Sequence, residues 1–181
     1  AYFKQFNILQ AFYSEAAKSA MKLRETIQLG VLEGTNVFYL GKDDGGSRVR
    51  IATDPGMHFP AHASAIGKIQ LAHLTFEQLK ELYPDGVLEK KTPYTVSNIE
   101  ELWEQLVVAK ERGYVYDCEE SNLDFFCVAA PIYNAENKVI AGVSFSMIRA
   151  SWEMKKEKAT EEIVALARRI SRLAGKVENH Q

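Results

Sequence analysis

The chain has 181 residues, 46% hydrophobic and 25% charged, with a formal net charge of −2. A domain of this length buries roughly 70% of its unfolded surface, so a sizeable core is expected. The spread of acids excludes a protein built mainly to neutralise phosphates, and no apolar run approaches the roughly 20 residues of a membrane helix.

The opening Ala1-Tyr2-Phe3-Lys4 has no initiator Met and lies inside an amphipathic pattern, so a segment of a longer protein is expected. Phe3, Phe6, Leu9, Phe12, Tyr13, Ala16, Ala17 and Ala20 recur at three- and four-residue steps. They predict a leading helix within residues 1–24 with one apolar stripe, suited to packing on a sheet or also to dimerisation. Thr26 to Glu33 alternates as a strand, Gly34-Thr35-Asn36 turns, and Val37 to Leu40 is a second strand. After Asp43-Asp44-Gly45-Gly46, the segment Arg48 to Thr53 reads as a third strand with one charged face.

Asp54-Pro55-Gly56 turns the chain, and Pro60 introduces an apolar, small-residue helix from about His62 to His73. Thr75-Phe76-Glu77-Gln78 spells a capping box for a short helix through Leu79 and Leu82. Ser97-Asn98-Ile99-Glu100 spells a second, opening a helix with Ile99, Leu102, Trp103, Leu106 and Ala109 that Gly113 stops. Tyr114 to Cys118 is a strand. Phe125 to Tyr133 and Lys138 to Ile148 form a hairpin, and a helix bearing Ile163, Leu166, Ala167, Ile170, Leu173 and Ala174 closes the chain. No repeat or linker divides it, so one domain over residues 1–181 is expected. The short loops between neighbouring strands imply antiparallel pairs, and the strands do not alternate one by one with helices. The expected fold class is α+β, with about six antiparallel strands covered by helices.

Strand arithmetic supplies the candidate site. Ser144 and Ser146 are two apart and share a face; so do Cys127 and Ala129. In a hairpin, one side then presents hydroxyls, a thiol and a methyl. Short side chains on one face leave either a tightly covered surface or space above it, and space with a few polar groups is a ligand pocket. Asp117 lies within an apolar strand, where a carboxylate must be paired, hydrogen-bonded or ligand-facing. Glu119 and Glu120 read as an exposed strand end. The segment Pro60 to Lys68 would start a helix with uncovered N–H groups, which favour anions. Cys118 and Cys127 read as free thiols in a reducing cytoplasm.

Three ordered blocks carry a family resemblance. Pro60-Ala61-His62-Ala63-Ser64-Ala65-Ile66-Gly67-Lys68 is similar to the HA(S/T)xxGK segment of IclR-type transcription regulators. Arg112-Gly113-Tyr114, Asp117, Glu119, Glu120 and Cys127 to Tyr133 resemble the family's second signature, and Ala141 to Ser146 its closing strand. The resemblance runs from about Lys22 to Leu173. It implies a GAF-like effector-binding domain, sensing a small carboxylate, that forms homodimers or tetramers. DNA would be contacted only through an N-terminal winged helix-turn-helix that this chain lacks. The implied ligand-binding residues are Asp117, Cys127, Ser144 and Ser146, with backbone donors at Ala65 and Ile66. No cofactor, metal, membrane or catalytic group is implied. Two departures stand out: Asp124 falls where glycine is common, and Ile66 is branched.

Two other readings compete. Cys127 with His62 and Asp117 would make a nucleophile, base and orienter, although a cysteine in a long apolar strand is usually inert. His58, His62 and His73 would make a metal site, but Phe59-Pro60 interrupts the helical spacing of the first pair.

Overall fold

The computed structural model describes residues 2–178, and the side chains of residues 7–175. The order is α1 (Tyr2–Leu23), β1 (Thr26–Glu33), β2 (Asn36–Asp43), β3 (His58–Pro60), α2 (Ala65–Leu71), α3 (Phe76–Leu82), α4 (Ile99–Arg112), β4 (Val115–Cys118), β5 (Phe125–Tyr133), β6 (Val139–Ile148) and α5 (Arg149–Glu178). The strands form one six-stranded sheet in the order β3-β2-β1-β6-β5-β4. Every neighbouring pair is antiparallel, as the short connections required. No helix among the described residues is long and apolar enough to cross a membrane.

Alternation divides the sheet into two cores. Ile27, Leu29, Val128, Ile132, Val143 and Phe145 face α1 and α5. Val37, Tyr39, Val115 and Ala129 face α2, α3 and α4. Fully buried side chains such as Phe145, Leu29 and Leu102 each contribute about 2 kcal/mol through removal from water. Part of the apolar stripe of α1 packs within the chain: Phe12, Ala16 and Ala20 are fully buried against α5 and the sheet, while Tyr13 and Ala17 are exposed. Polar contacts join the two helices, with Ser19 Oγ donating to Glu162 Oε1 at 2.7 Å and Arg169 Nη2 donating to Ser19 Oγ at 2.8 Å. The side chains of Phe3 and Phe6 lie outside the described residues.

Arg48 to Thr53 is not a strand; β3 falls instead at His58–Pro60. The segment crosses over the sheet, and its carbonyls are satisfied by side chains. Gln28 Nε2 donates to Thr53 O at 2.9 Å and Lys42 Nζ donates to Ile51 O at 2.6 Å. Side-chain donors have taken the place of a ladder, a competition that local periodicity does not register. The second capping box is displaced by one residue. Asn98 is the N-cap, accepting from Glu101 N at 2.9 Å, while Glu101 reaches back to Ser97 N at 3.2 Å. The first is as expected, with Thr75 and Gln78 capping each other.

The helix expected from His62 to His73 is broken. Ala61–Ala63 is a 3₁₀ turn, Ser64 is extended, and α2 runs only from Ala65 to Leu71. Ser64 Oγ accepts from Gly67 N at 2.9 Å, which is N-cap chemistry. The 3₁₀ turn folds so tightly against α2 that a Cβ on Gly67 would sit 2.2 Å from Ala61 O. Beneath α2, Gly30 and Gly142 pair across β1 and β6. A Cβ on either would come within 3.0 or 3.3 Å of Ile66 Cγ2, so α2 rests on the sheet itself.

Lys68 fastens this arrangement. Its side chain is fully buried, and Nζ donates at 2.8 Å to Gln105 Oε1, Tyr116 O and both oxygens of Glu120. One ammonium thus links α2, α4, β4 and the segment after β4. The expectation of exposed acids after β4 is wrong. Glu120 is 6% exposed and neutralises Lys68, and Glu119 pairs with Arg149. A buried lysine must have a counter-charge, and the chain supplies it 52 residues away.

Two outcomes follow for stability, both read by urea unfolding. Gly67→Ala lowers stability by about 1–3 kcal/mol through overpacking, whereas Gly175→Ala, whose Cβ would have no neighbour nearer than 3.8 Å, does not. Lys68→Met lowers it by about 3–5 kcal/mol by stranding Glu120, and the double change Lys68→Met with Glu120→Leu recovers part of that loss.

Candidate functional site

The antiparallel register sets two rows of side chains across the middle of the sheet. Asp117, Cys127, Ser146 and Thr26 are successive partners across β4, β5, β6 and β1; Val115, Ala129, Ser144 and Gln28 form the next row. Cys127 Sγ lies 3.1 Å from Ser146 Oγ. Because most of these side chains are short, α2 can sit on Gly30 and Gly142 while a recess remains beside it. The recess is a cavity of about 250 Å³. All six residues singled out above, Ala65, Ile66, Asp117, Cys127, Ser144 and Ser146, line it.

The start of α2 adds its first residues to the lining. The first N–H groups of a helix have no intrahelical acceptor. Ser64 takes the amide of Gly67, and Ala65 and Ile66 line the cavity wall. At seven residues, α2 brings only a modest dipole, so these amides act mainly as donors.

Asp117 is 1% exposed and already well held. Its Oδ1 accepts from Glu120 N at 2.7 Å and Ser121 N at 3.2 Å, and Oδ2 accepts from Ser121 Oγ at 2.6 Å. Burial nevertheless pushes its carboxyl up to about 6, against the opposing pull of Lys68 and Ser121. Burial and the neighbouring Asp117 charge push the Cys127 thiol well above its ordinary value.

Several lining residues were not singled out from sequence. Gln28 forms part of the floor and anchors the roof, donating to Thr53 O at 2.9 Å and Thr53 Oγ1 at 2.7 Å. The roof is the misread segment, with Arg50, Ile51, Ala52 and Thr53 over the opening. Buried Tyr39 also lines the cavity. Phe125 closes another side; before it, Asp124 has φ +68°, the left-handed conformation that glycine favours and Asp tolerates. The one available signal was Gln28, a polar residue between Ile27 and Leu29 in an apolar strand.

The competing chemistries are not assembled. His62 does not line the cavity; its Nε2 donates to Glu89 O at 2.6 Å, and the partner of Cys127 is Ser146. His58 pairs with Glu33, while His73 stacks edge-on with Tyr133. Among the described residues no group of three His, Cys, Asp or Glu side chains is arranged to hold a metal.

Comparison with known proteins places this geometry. Residues 1–172 match the family model described as "Bacterial transcriptional regulator IclR C-terminal". The HTH-type transcriptional regulator KdgR of Dickeya chrysanthemi is 36% identical over 136 residues, 74% of this chain and 45% of that protein. The regulator BhcR of Paracoccus denitrificans is 34% identical over 149 residues, 81% of this chain and 53% of its own length. The chain thus spans about half the length of these curated relatives. The crystal structure of the C-terminal domain of the Escherichia coli regulator KdgR has a TM-score of 0.83 at 26% identity, covering 93% of this chain and 99% of that one. The chain therefore belongs to the IclR family of bacterial transcriptional regulators, matches its C-terminal region and shares that region's GAF-like α+β fold.

Proposed function

We propose that the central cavity binds a small carboxylate effector and that this chain is the sensing and self-associating part of a cytoplasmic, non-enzymatic regulator. DNA would be contacted by a segment outside this chain. The observation that carries the reading is that Ala65 and Ile66, at the start of α2, and Ser144 and Ser146, on β6, line one cavity of about 250 Å³. Four donors on two elements, α2 and β6, suit an oxyanion, and the apolar wall of Ile51, Ala52 and Phe125 suits a short carbon skeleton. Asp117 then accepts from a ligand hydroxyl or a water, and Cys127 is wall. Effector binding alters the arrangement of two or four copies only if the arrangements differ in affinity for it.

The test is titration calorimetry with keto acids, sugar acids and aromatic acids. One class binds, and Ser144→Val or Ser146→Val weakens it roughly 10- to 100-fold, the consequence of losing a hydrogen bond to a charged group. A folded protein that gives no heat with any of them refutes the proposal.

pH supplies a further test. An anion beside Asp117 binds best when that carboxyl is protonated. Affinity is therefore full below about pH 6 and falls as pH rises through it, and Asp117→Asn removes the dependence. Alkylation separates this reading from a cysteine nucleophile: with iodoacetamide at neutral pH, exposed Cys118 is modified before Cys127.

A further inference from the structure

A second cavity, of about 450 Å³, lies away from the central one, between the C-terminal half of α5, the last turn of α4 and the β5–β6 loop. Arg112, Arg168 and Arg172 line it, together with Asn134 and Asn137. Among the described residues no Asp or Glu lines it, in a chain where acids outnumber Lys and Arg by 24 to 22.

The cations at this place are under-compensated. Arg168 and Arg172 are four apart on α5, a spacing at which like charges repel on a helix face. Neither has a carboxylate or other acceptor partner among the described residues. Their neighbour Arg169, by contrast, pairs with Glu15 at 3.2 Å and Glu162 at 3.6 Å. Arg112 is steadied by Nε donating to Tyr114 O at 2.9 Å and by its position over the Tyr114 ring, at 4.4 Å. Those contacts leave its two terminal nitrogens for another acceptor.

The walls are also well anchored. Tyr133 N donates to Ser171 Oγ at 3.0 Å, and Ser171 Oγ donates to Ala167 O at 2.7 Å, so α5 is tied to β5 at the cavity. Asn134 Oδ1 accepts from Glu136 N and Lys138 N at 2.9 Å each, which holds the loop in shape.

We propose that this cavity is a second ligand site, for a multiply charged oxyanion of the phosphate type, separate from the central carboxylate site. The planar donor forks of three arginines match tetrahedral oxyanions in pairs of bonds, and a bound anion relieves the repulsion between Arg168 and Arg172. Substitution at Arg168 and Arg172 tests this directly, because both are exposed and hold nothing else among the described residues.

The probe is inorganic pyrophosphate, titrated at constant ionic strength by calorimetry. The wild type binds at one site per chain. Arg168→Gln with Arg172→Gln weakens binding at least tenfold, whereas Arg48→Gln, exposed and distant, leaves it unchanged. Ser144→Val with Ser146→Val also leaves it unchanged, because those residues line the other cavity. The proposal is overturned if the wild type shows no saturable binding at millimolar pyrophosphate, if the double arginine variant binds as well as wild type, or if the serine variant is the one that loses binding. Circular dichroism of the arginine variant, expected to match wild type, keeps a folding defect from passing as a lost site.

Discussion

The molecule depends on how closely α2 approaches the sheet. Where the helix crosses β1 and β6, the two facing residues are Gly30 and Gly142, and Ile66, with Val37 and Ile69, crowds the space their side chains would have taken. That contact fixes the height of the helix above the strands. It therefore fixes where the Ala65 and Ile66 amides stand relative to the Ser144 and Ser146 hydroxyls, one and two alternations further along β6 from Gly142. A bulkier pair would lift α2, and the donors would no longer surround one volume.

Buried charge locks the same elements laterally. The ammonium of Lys68 has four oxygen acceptors, so its desolvation is offset by hydrogen bonds as well as by Glu120. Glu120 in turn accepts from Cys118 N at 3.2 Å, and Asp117 accepts from the backbone of Glu120 and Ser121. The carboxyl in the central cavity and the ion pair behind it are thus held by one short stretch of chain. A buried ion pair is weak support for stability in general, since an apolar replacement is often as good. Here its effect is positional: it ties the turn that presents Asp117 to the helix that presents the amides.

What was legible in the sequence was whatever depends on periodicity within one element. Side chains two apart share a face, so the grouping of Cys127 with Ala129 and of Ser144 with Ser146 needed only the strand assignment. Capping at Thr75 needed only local spacing. The failures are where a distant partner decides. Arg48 to Thr53 alternates like a strand, yet Gln28 and Lys42 take its carbonyls and turn it into a roof. Glu120 reads as solvent-exposed until Lys68 is known to be buried beside it. Gln28 looked like one polar residue on a strand, and its role appears only when the roof is in place above it.

The roof has a further consequence for access. A strand in that position would have been zipped to the sheet by a ladder, and opening it would break many bonds together. Instead, the segment is held over the cavity by a small set of side-chain contacts from Gln28 and Lys42. Segments with few backbone hydrogen bonds open locally at lower free energy than the core does. The floor and the helix start, by contrast, belong to the buried cores and keep their spacing. If the cavity holds an effector as proposed, a rigid floor with a separately held cover would let it enter without unfolding the sheet. It would also give a bound state something distinct to stabilise, the placement of Arg48 to Thr53 over the cavity.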